Sequence, residues 1–287
     1  MSRIVVPTDG SDLANQAIPW AKVLAEKTQA QLELFRSYHP LASVYSYPDF
    51  ATPPPVPYDL SGFARHATKH LEVVAKEYDV SGAKLSVQEG DAAESICQLA
   101  AADDVDMVVL TSHGRSGLGR WLLGSVTNQV VRACTKPVLI VKAHDAPVAP
   151  AIDRILVPLD GSELGEEALE QAKKLALLFG SKLHLLRCVD FTPYPMANIQ
   201  VALHYEIEES EKYLESLTSR LEGIEVTAEV KAVSAIRGIL EASKQNDLIV
   251  LSTHGAGGFE RWLVGSVTDK VLNRSSKPVL VICHGEQ

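Results

Sequence analysis

Cysteine is scarce in this sequence and long apolar runs are missing, and both features narrow the class of protein. Four cysteines occur among 287 residues, and no two of them are spaced as C-x2-C. That usage favours reduced thiols in a cytoplasmic protein over a disulfide framework. No stretch approaches the ~18 apolar residues that span a bilayer, so we expect no membrane segment. The chain opens directly on a strand-like run, and we expect no signal peptide.

Positive charge is in short supply as well. Lysine and arginine number 27 against 36 aspartate and glutamate residues, which gives a net charge of −9. Nucleic-acid binding needs a basic surface to neutralise phosphates, so we expect no nucleic-acid partner. The sequence also lacks the G-x4-GK-[S/T] loop with its phosphate-binding lysine, and P-loop catalysis is therefore excluded.

What the chain does contain is an internal repeat. The stretch Arg3–Ser11, RIVVPTDGS, returns as Arg154–Ser162, RILVPLDGS. Residues 110–127 return as residues 251–268, with 11 of the 18 positions identical. A period of this length indicates two homologous structural units in tandem.

The repeat predicts the domain boundaries. A chain of 287 residues suits two domains of about 140–150 residues each. We expect one domain over 1–143, a linker with two prolines over 144–152, and a second domain over 153–287. The first copy has extra residues between its two motifs, and we place them in the proline-rich stretch His39–Asp59, which regular structure would not accommodate.

Each copy alternates short apolar runs with segments of helical periodicity. This alternation is typical of βαβ units, hence of a parallel sheet with helices on both faces. The predicted strands are Ile4–Val6, Gln31–Ser37, Leu85–Gln88, Met107–Thr111 and Val138–Val141, then Ile155–Val157, Lys182–Val189, Val226–Lys231, Leu248–Leu251 and Val279–Ile282. The predicted helices of the first copy are Ala14–Lys27, Phe63–Tyr78, Ser95–Ala102 and Ser125–Cys134. The fold class is α/β, with two doubly wound, parallel five-stranded sheets in tandem.

Two loops in each copy have the composition of a ligand-binding cleft. In an open α/β sheet, ligands bind beyond the carboxyl ends of the strands, where the strand order reverses. One loop follows the first strand and carries Asp9 (Asp160 in the second copy). The other ends at Gly124-Ser125 (Gly265-Ser266), where we expect a helix to begin with the serine as its N-cap. Backbone amides at the start of a helix have no acceptor within the helix, so they favour binding of an anion such as a phosphate.

These loops resemble those of the universal stress protein family, whose pattern is G-x2-G-x9-G-S/T. Gly114, Gly124 and Ser125 stand at that spacing, with Asp9 after the first strand, and the second copy repeats the arrangement. The resemblance covers nearly the whole chain. It implies a Rossmann-like fold of strand order 3-2-1-4-5 in each copy, and a site for ATP or another adenine nucleotide, with or without Mg²⁺.

The resemblance also implies a set of binding residues. The loop after strand 1 and the end of strand 2 correspond to the adenine-ribose end, the end of strand 4 to the ribose, and the glycine-serine positions to the phosphates. In the first copy these are Pro7, Thr8, Asp9, Ser37, Leu110, Thr111, Gly114, Gly124, Ser125 and Val126. In the second they are Pro158, Leu159, Asp160, Cys188, Leu251, Ser252, Gly255, Gly265, Ser266 and Val267. Thr111 and Ser252 replace the first glycine of the pattern, so a side chain narrows the ribose edge there and offers a hydroxyl.

Other chemistry-bearing residues carry weaker signals. His66 and His70 stand at i, i+4 on a predicted helix, but no third ligand is near in sequence, and we expect no metal site. The cysteines do not correspond between the copies. We interpret them as small buried side chains, with Cys188 the one exception because of its place beside the cleft.

The functional hypothesis is a cytoplasmic stress-response protein that binds an adenine nucleotide in one or both domains and acts as a ligand-dependent regulator. The alternative is an interaction scaffold that binds no nucleotide and acts by assembly. The last strands, Val138–Val141 and Val279–Ile282, would pair within the chain as an internal pseudo-dimer, and a homodimer stays open. Catalysis would amount at most to slow ATP hydrolysis or self-phosphorylation on Ser125 or Ser266.

Overall fold

The computed structural model describes residues 2–39, 61–112, 123–143, 149–190, 199–253 and 265–283. Most of the stretch His39–Asp59 and the first five residues of the expected linker, 144–148, therefore lie outside the described residues. The first half comprises β1 (Arg3–Pro7), α1 (Asp12–Asn15), α2 (Ala17–Thr28), β2 (Gln31–Tyr38), α3 (Ser61–Glu77), β3 (Lys84–Glu89), α4 (Ala92–Ala100), β4 (Val105–Thr111), α5 (Ser125–Ala133) and β5 (Val138–Val141). The second half comprises β6 (Arg154–Leu159), α6 (Glu163–Phe179), β7 (Lys182–Cys188), α7 (Ile199–Thr218), β8 (Val226–Lys231), α8 (Ala235–Ser243), β9 (Leu248–Ser252), α9 (Ser266–Arg274) and β10 (Val279–Ile282).

The strands form one continuous sheet in the order β3-β2-β1-β4-β5-β10-β9-β6-β7-β8. Within each half every pairing is parallel, and the strand order is the predicted 3-2-1-4-5. The α/β class and the doubly wound, parallel arrangement of five strands in each half are thus confirmed, and the two halves join in one ten-stranded sheet. The halves meet where β5 pairs antiparallel with β10, with Leu139 opposite Leu280.

An apolar layer covers each face of the sheet and draws residues from both halves. Successive strand side chains point to opposite faces, and the central strand β5 shows this clearly. Val138 and Ile140 pack with helices α4, α5, α8 and α9, whereas Leu139 and Val141 pack with α2, α3, α6 and α7. The inner strands are buried on both faces and are nearly continuous apolar runs, as expected of a parallel sheet, whereas the outer strands β3 and β8 are more exposed and more polar.

The first helix of the chain is interrupted, although the periodicity predicts one helix over Ala14–Lys27. Pro19 has no amide hydrogen to donate to the carbonyl of Asn15 four residues earlier, so α1 ends at Asn15 and α2 begins at Ala17. The corresponding helix of the second half, α6, has Glu170 at this position and runs unbroken for 17 residues.

Contacts at the junction of the halves follow the same approximate twofold relation as the strands. The Nζ of Lys142 donates a hydrogen bond to the carbonyl oxygen of Leu272. Cys283, the counterpart of Lys142 in the repeat, lies with its sulfur 3.8 Å from the carbonyl oxygen of Val131, the counterpart of Leu272. In each half, one backbone carbonyl thus accepts a hydrogen bond from a side chain of the other half. The donor is an amine in one case and a thiol in the other.

Candidate functional site

The two loops singled out in the sequence meet at one edge of the sheet. β1 pairs with β2 on one side and with β4 on the other, and all three strands run parallel. Their carboxyl ends therefore share an edge. The helices that follow β1 and β4 cover opposite faces of the sheet, which opens a crevice between the two strand ends. β6, flanked by β7 and β9, has the same position in the second half.

The loop after β1 is held by its own side chains. Thr8 is buried, its hydroxyl lies 2.6 Å from Oδ1 of Asn15, and it accepts the amide of Gly10 at 2.9 Å. Oδ1 of Asp9 accepts the amide of Ser11 at 2.9 Å and its hydroxyl at 2.7 Å. The Asp9 carboxylate is therefore fixed in orientation at the mouth of the crevice.

The loop after β6 repeats this arrangement. Oδ1 of Asp160 accepts the amide of Ser162 at 3.1 Å and its hydroxyl at 2.5 Å. Asp160 is exposed, whereas Asp9 is half-buried. In both loops the carboxylate uses Oδ1 to shape the turn, and the serine hydroxyl caps the helix that follows.

Each of these loops is covered by an arginine that the sequence analysis missed. Gly10 has φ +81°, and a Cβ placed on it would lie 2.3 Å from Cε1 of His70 and 2.9 Å from Nη1 of Arg36. In the second half Gly161 has φ +83°, and a Cβ there would lie 2.9 Å from Nη1 of Arg187. The signal was available, since Arg36 and Arg187 occupy the same position of the repeat.

The start of α5 forms the opposite wall of the first crevice. Gly124 is the N-cap residue, with φ −58° and ψ 149°, and no side chain caps the helix. The expectation that Ser125 is the N-cap is wrong, because Ser125 is already the first helical residue. Within the described residues, the first backbone amide to bond inside the helix is that of Asn128, which donates to the carbonyl of Gly124 at 2.9 Å. The amides of the preceding turn point out of the helix end, where partial positive charge accumulates.

Two hydrogen bonds tie this helix start to the end of β4. The amide of Gly124 donates to the carbonyl of Ser112 at 2.7 Å, and the hydroxyl of Thr127 donates to the carbonyl of Thr111 at 2.8 Å. Thr111, Ser112 and Thr127 are all buried, so the bonds form away from water. They fix the helix start relative to the strand ends, whatever course the intervening loop takes.

The second half builds the same wall with equivalent atoms. Gly265 is the uncapped N-cap residue of α9, and its amide donates to the carbonyl of Thr253 at 2.7 Å. The hydroxyl of Thr268 donates to the carbonyl of Ser252 at 2.9 Å. One charge differs, because α9 carries Asp269 in its first turn where α5 carries the neutral Asn128.

Arg132 connects these two positions across the junction. Its Nε donates to Oδ1 of Asn128 at 2.7 Å, and its Nη2 lies 3.9 Å from the Asp269 carboxylate. The amide of Leu123 also donates to Oδ1 of Asn273 on α9 at 3.0 Å. Two hydrogen bonds and an ion-pair contact therefore connect the start of α5 with α9 across the junction.

The remaining residues of the expected site differ in burial and in their position relative to the crevice. The Leu110 and Leu251 side chains belong to the apolar core, so only their backbone can face the crevice. Ser37 is half-buried near the end of β2. β1 ends at Pro7, and β6 ends with Pro158 and Leu159. At the helix starts, the exposed residues are Ser125, Val126 and Ser266, and Val267 is half-buried. Gly114 and Gly255 lie outside the described residues.

Cys188 lies at the end of β7 against the start of α8. Its sulfur is 4.0 Å from the carbonyl oxygen of Ala235, and a Cβ placed on Gly238 would lie 2.3 Å from it. Burial raises the pKa of the Cys188 thiol to about 11, so the thiol is protonated at neutral pH. Gly238 thus provides the space that the Cys188 side chain occupies, and a protonated, weakly polar group borders the second crevice.

Searches of the described residues for two other kinds of feature found none. No group of three or more His, Cys, Asp or Glu side chains in those ranges could hold a metal ion. No described helix is both long enough and apolar enough to cross a membrane.

The duplicated, doubly wound sheet with equivalent helix starts at both crevices places the chain among tandem Rossmann-like α/β proteins. Comparison with known families then resolves the class: the profile described as "Universal stress protein family" matches residues 1–142 and again 151–282. The chain belongs to the universal stress protein family, and the resemblance seen in the sequence is confirmed.

Individual relatives match over nearly their whole length. A universal stress protein of Mycolicibacterium smegmatis is 29% identical over 289 residues, covering 97% of this chain and 96% of that protein. A universal stress protein of Mycobacterium tuberculosis strain H37Rv is 29% identical over 299 residues, with 97% and 96% covered. Among solved structures, a universal stress protein from Archaeoglobus fulgidus has a TM-score of 0.70 at 22% identity and covers 99% of this chain and 97% of that one. The structural likeness supports the tandem fold.

Proposed function

We propose that this universal stress protein binds ATP or another adenine nucleotide at one or both crevices and acts as a ligand-dependent regulator. The single observation that carries the proposal is the pair of helix starts, at Gly124 and Gly265, that no side chain caps. Each faces the switch point of its sheet, where α/β proteins bind nucleotides. Amides at such a position hold phosphate oxygens through hydrogen bonds and the helix dipole.

The opposite loops support the nucleoside end of the ligand. A fixed carboxylate accepts hydrogen bonds and repels phosphates, so Asp9 and Asp160 suit the adenine-ribose end. The hydroxyl groups at positions 111 and 252, where the family pattern has glycine, add polar groups at the ribose edge. We place the phosphates at Gly124, Ser125, Gly265 and Ser266, with Gly114 and Gly255 as further contacts and with Mg²⁺ as an accompanying ion when ATP is bound.

A second candidate function is a scaffold that acts by assembly. The antiparallel pairing of β5 with β10 favours it, because the pairing covers the edge strand of each half within one chain, as we expect of an internal pseudo-dimer. We propose domains over 1–143 and 153–287 with a linker between them, a cytoplasmic location, and homodimer formation as a further step. Nucleotide binding and assembly are compatible, and the experiment below separates a binder from an empty scaffold.

The experiment measures the nucleotide that copurifies with the protein. Heat-released ligand is quantified by ion exchange for the wild type, for the double variant Gly265→Ala, Ser266→Ala and for the equivalent Gly124→Ala, Ser125→Ala. Alanine fits the backbone angles of both glycines, so the variants should fold. Each variant should lose the nucleotide of its own half.

A matched control is available in the turn before β3. The double variant Ser81→Ala, Gly82→Ala makes the same chemical change at an exposed site where a Cβ on Gly82 meets nothing within 4 Å. It should retain the wild-type nucleotide content. Full retention of nucleotide by both site variants would refute the assignment, and a wild type that neither carries nor takes up nucleotide would favour the scaffold.

A further inference from the structure

An imidazole lies within the second half of the sheet, on the face that α8 covers. His184 is the third residue of β7, near the amino end of the strand and away from the crevice, and its side chain is 13% exposed. Alternate residues of a strand share a face, so His184 points to the same side as Leu186, which packs in the layer of α8 and α9. The repeat places Glu33 at the equivalent position of β2. The two halves therefore carry different ionisable groups at one position.

In the first half, cationic and hydroxyl donors surround this position. Glu33 is fully buried, and Arg3 donates a hydrogen bond to its carboxylate. The hydroxyl of Ser86 donates to it at 2.6 Å, and Nζ of Lys84 lies 3.3 Å away. The negative charge of Glu33 is thus matched by positive charge from neighbouring strands.

In the second half, the partner of His184 on the α8 side is the amide of Asn246, which is 1% exposed. Nδ2 of Asn246 donates to the carbonyl oxygen of Ala242 at 2.8 Å and also lies 3.1 Å from Nδ1 of His184. Because a carbonyl oxygen only accepts, the contact with Ala242 fixes which end of the amide is the nitrogen. Nδ1 of His184 must then be the acceptor, which leaves the ring proton on Nε2.

On its other side the ring contacts β8, the outermost strand of this half. Nε2 of His184 lies 3.3 Å from Oε2 of Glu229, and Nζ of Lys231 lies 3.3 Å from the same oxygen. Burial lowers the pKa of His184, and Glu229 opposes that change. The charges of Lys231 on β8 and Arg154 on β6 add to the decrease, and the end of α8 contributes the neutral amide of Asn246. The neutral ring thus joins β8 and the turn after α8 to β7.

We propose that His184 is a pH-sensitive contact that holds the edge strand β8 and the turn after α8 against β7 at neutral pH and releases them on acidification. A proton added to Nδ1 would face the Nδ2 hydrogens of Asn246, so two donors would meet. Rotation of the amide would offer Oδ1 to the new proton but would set that oxygen against the Ala242 carbonyl. Local opening relieves this conflict, because it brings the charged ring into water.

The direction of the pH effect follows from the two states of the ring. The unfolded chain takes up the proton with the ordinary histidine pKa of 6.5, and the folded chain takes it up at lower pH. The contact therefore contributes its full stability above pH 6.5 and loses it as the pH falls below that value. The edge strand of the first half, β3, has Glu33 in place of the imidazole and should not respond in the same way.

Nuclear magnetic resonance of the full-length protein with ¹⁵N-labelled histidine tests the state of the ring. The signals of His184 are identified by their absence in His184→Gln. At pH 7 the nitrogen shifts should show a proton on Nε2 and none on Nδ1, and the ring should titrate below pH 6.5. Glu229→Gln removes the opposing carboxylate and should lower the titration midpoint further. A proton on Nδ1, or a midpoint at or above 6.5 in the wild type, would overturn the proposal.

Hydrogen exchange at pH 7 and pH 5, corrected for the intrinsic rates, tests the release. Peptides covering residues 226–231 and 243–248 should open several-fold more often at pH 5 in the wild type, with residues 84–89 as the internal reference. In His184→Gln the new amide can accept from Asn246 and donate to Glu229 without titrating, so the increase should disappear.

His204→Gln makes the same chemical change at an exposed position of α7 and should keep the increase. The same pH response in His184→Gln as in the wild type would show that another group controls the opening. If His184→Gln fails to fold, the exchange of the wild type decides, because an unchanged opening of β8 between pH 7 and pH 5 contradicts the proposal.

Discussion

The hydroxyl of Thr127 donates a hydrogen bond of 2.8 Å to the carbonyl oxygen of Thr111, and this bond joins the start of α5 to the end of β4. The second half repeats it at 2.9 Å between Thr268 and Ser252. Both bonds bridge the two ends of a loop that carries the family motif. The helix amides that we assign to phosphate binding are therefore positioned by buried residues outside that loop.

Replacement of Thr127 by valine should weaken both stability and ligand binding. Valine keeps the shape of the side chain but leaves the buried Thr111 carbonyl without this donor, which should cost about 1–2 kcal/mol of unfolding free energy. Nucleotide affinity of the first site should fall several-fold, because the helix start loses its anchor. Denaturant unfolding and nucleotide titration measure the two effects.

Thr28→Val provides the control for that variant. The Thr28 hydroxyl donates to the carbonyl of Leu24 in the last turn of α2, and that carbonyl also belongs to the helix ladder. This end of α2 lies by the start of β2, at the edge of the sheet opposite the crevice. The control should change the unfolding free energy by less than about 0.5 kcal/mol and leave affinity unchanged. If Thr127→Val behaves like the control in both measurements, the anchoring role is wrong.

The charge difference between the two helix starts predicts unequal affinities. Asp269 places a carboxylate in the first turn of α9. Its negative charge offsets the partial positive charge of the helix start and repels a phosphate there, whereas the counterpart in α5, Asn128, is neutral. Asp269→Asn should tighten the second site, and Asn128→Asp should weaken the first, each by about two- to fivefold, corresponding to about 0.3–1 kcal/mol. Titration calorimetry at low salt measures both changes, and opposite signs would show that the phosphates bind elsewhere.

Gly10→Ala should be strongly destabilising. Its φ of +81° disfavours any side chain, and the new Cβ would collide with His70 at 2.3 Å and with Arg36 at 2.9 Å. Gly180→Ala is the matched control, since Gly180 has φ +72° but nothing within 4 Å of an added Cβ. The control should lose about 1 kcal/mol from backbone strain alone, and Gly10→Ala should lose at least about 1–2 kcal/mol more. Equal losses in urea denaturation would mean that the Arg36–His70 cover moves aside freely.

Lys142 should make the stability of the protein depend on pH. Burial lowers the pKa of Lys142 from 10.5 to about 8, so between these values the unfolded chain binds more protons than the folded one. The Lys142 contribution to the unfolding free energy should therefore rise with pH across that window, by up to about 3 kcal/mol. Lys142→Met removes this contribution and should be more stable than the wild type at pH 7 by a similar order.

The quantity to measure is the difference in unfolding free energy between Lys142→Met and the wild type at pH 7 and pH 10. Taking the difference cancels the opposing effect of Cys188, whose raised pKa makes stability fall at high pH. The difference in unfolding free energy between the variant and the wild type should become smaller as pH rises. A gap that stays constant would show that the Lys142 amine keeps its ordinary proton affinity in the folded protein.

Sequence periodicity predicted the fold well because the inner strands are buried on both faces and the repeat supplies each pattern twice. It failed where a single residue acts on the backbone. Pro19 ends α1 early, and α4 begins at Ala92 rather than Ser95 because Asp91 caps it by accepting the amide of Glu94. That pairing of Asp91 with Glu94 was a readable helix-start signal.

Side-chain neighbours from distant elements were beyond the reach of the sequence. The Ser125 cap was a reasonable expectation from propensity, but Gly124, whose amide donates to the Ser112 carbonyl, is the N-cap residue instead. Likewise, the approach of His70 and Arg36 to Gly10 depends on how α3 packs against β2. Such contacts follow from the packing of the layers, which local patterns do not encode.

Titration calorimetry of the nucleotide-free protein with ATP measures directly whether the crevices bind nucleotide. We expect saturable binding with one or two sites per chain. Binding should be lost in the combined variant Gly124→Ala, Ser125→Ala, Gly265→Ala, Ser266→Ala and preserved in Ser81→Ala, Gly82→Ala. Absence of saturable binding to the wild type, or unchanged binding to the combined variant, would contradict the proposed function.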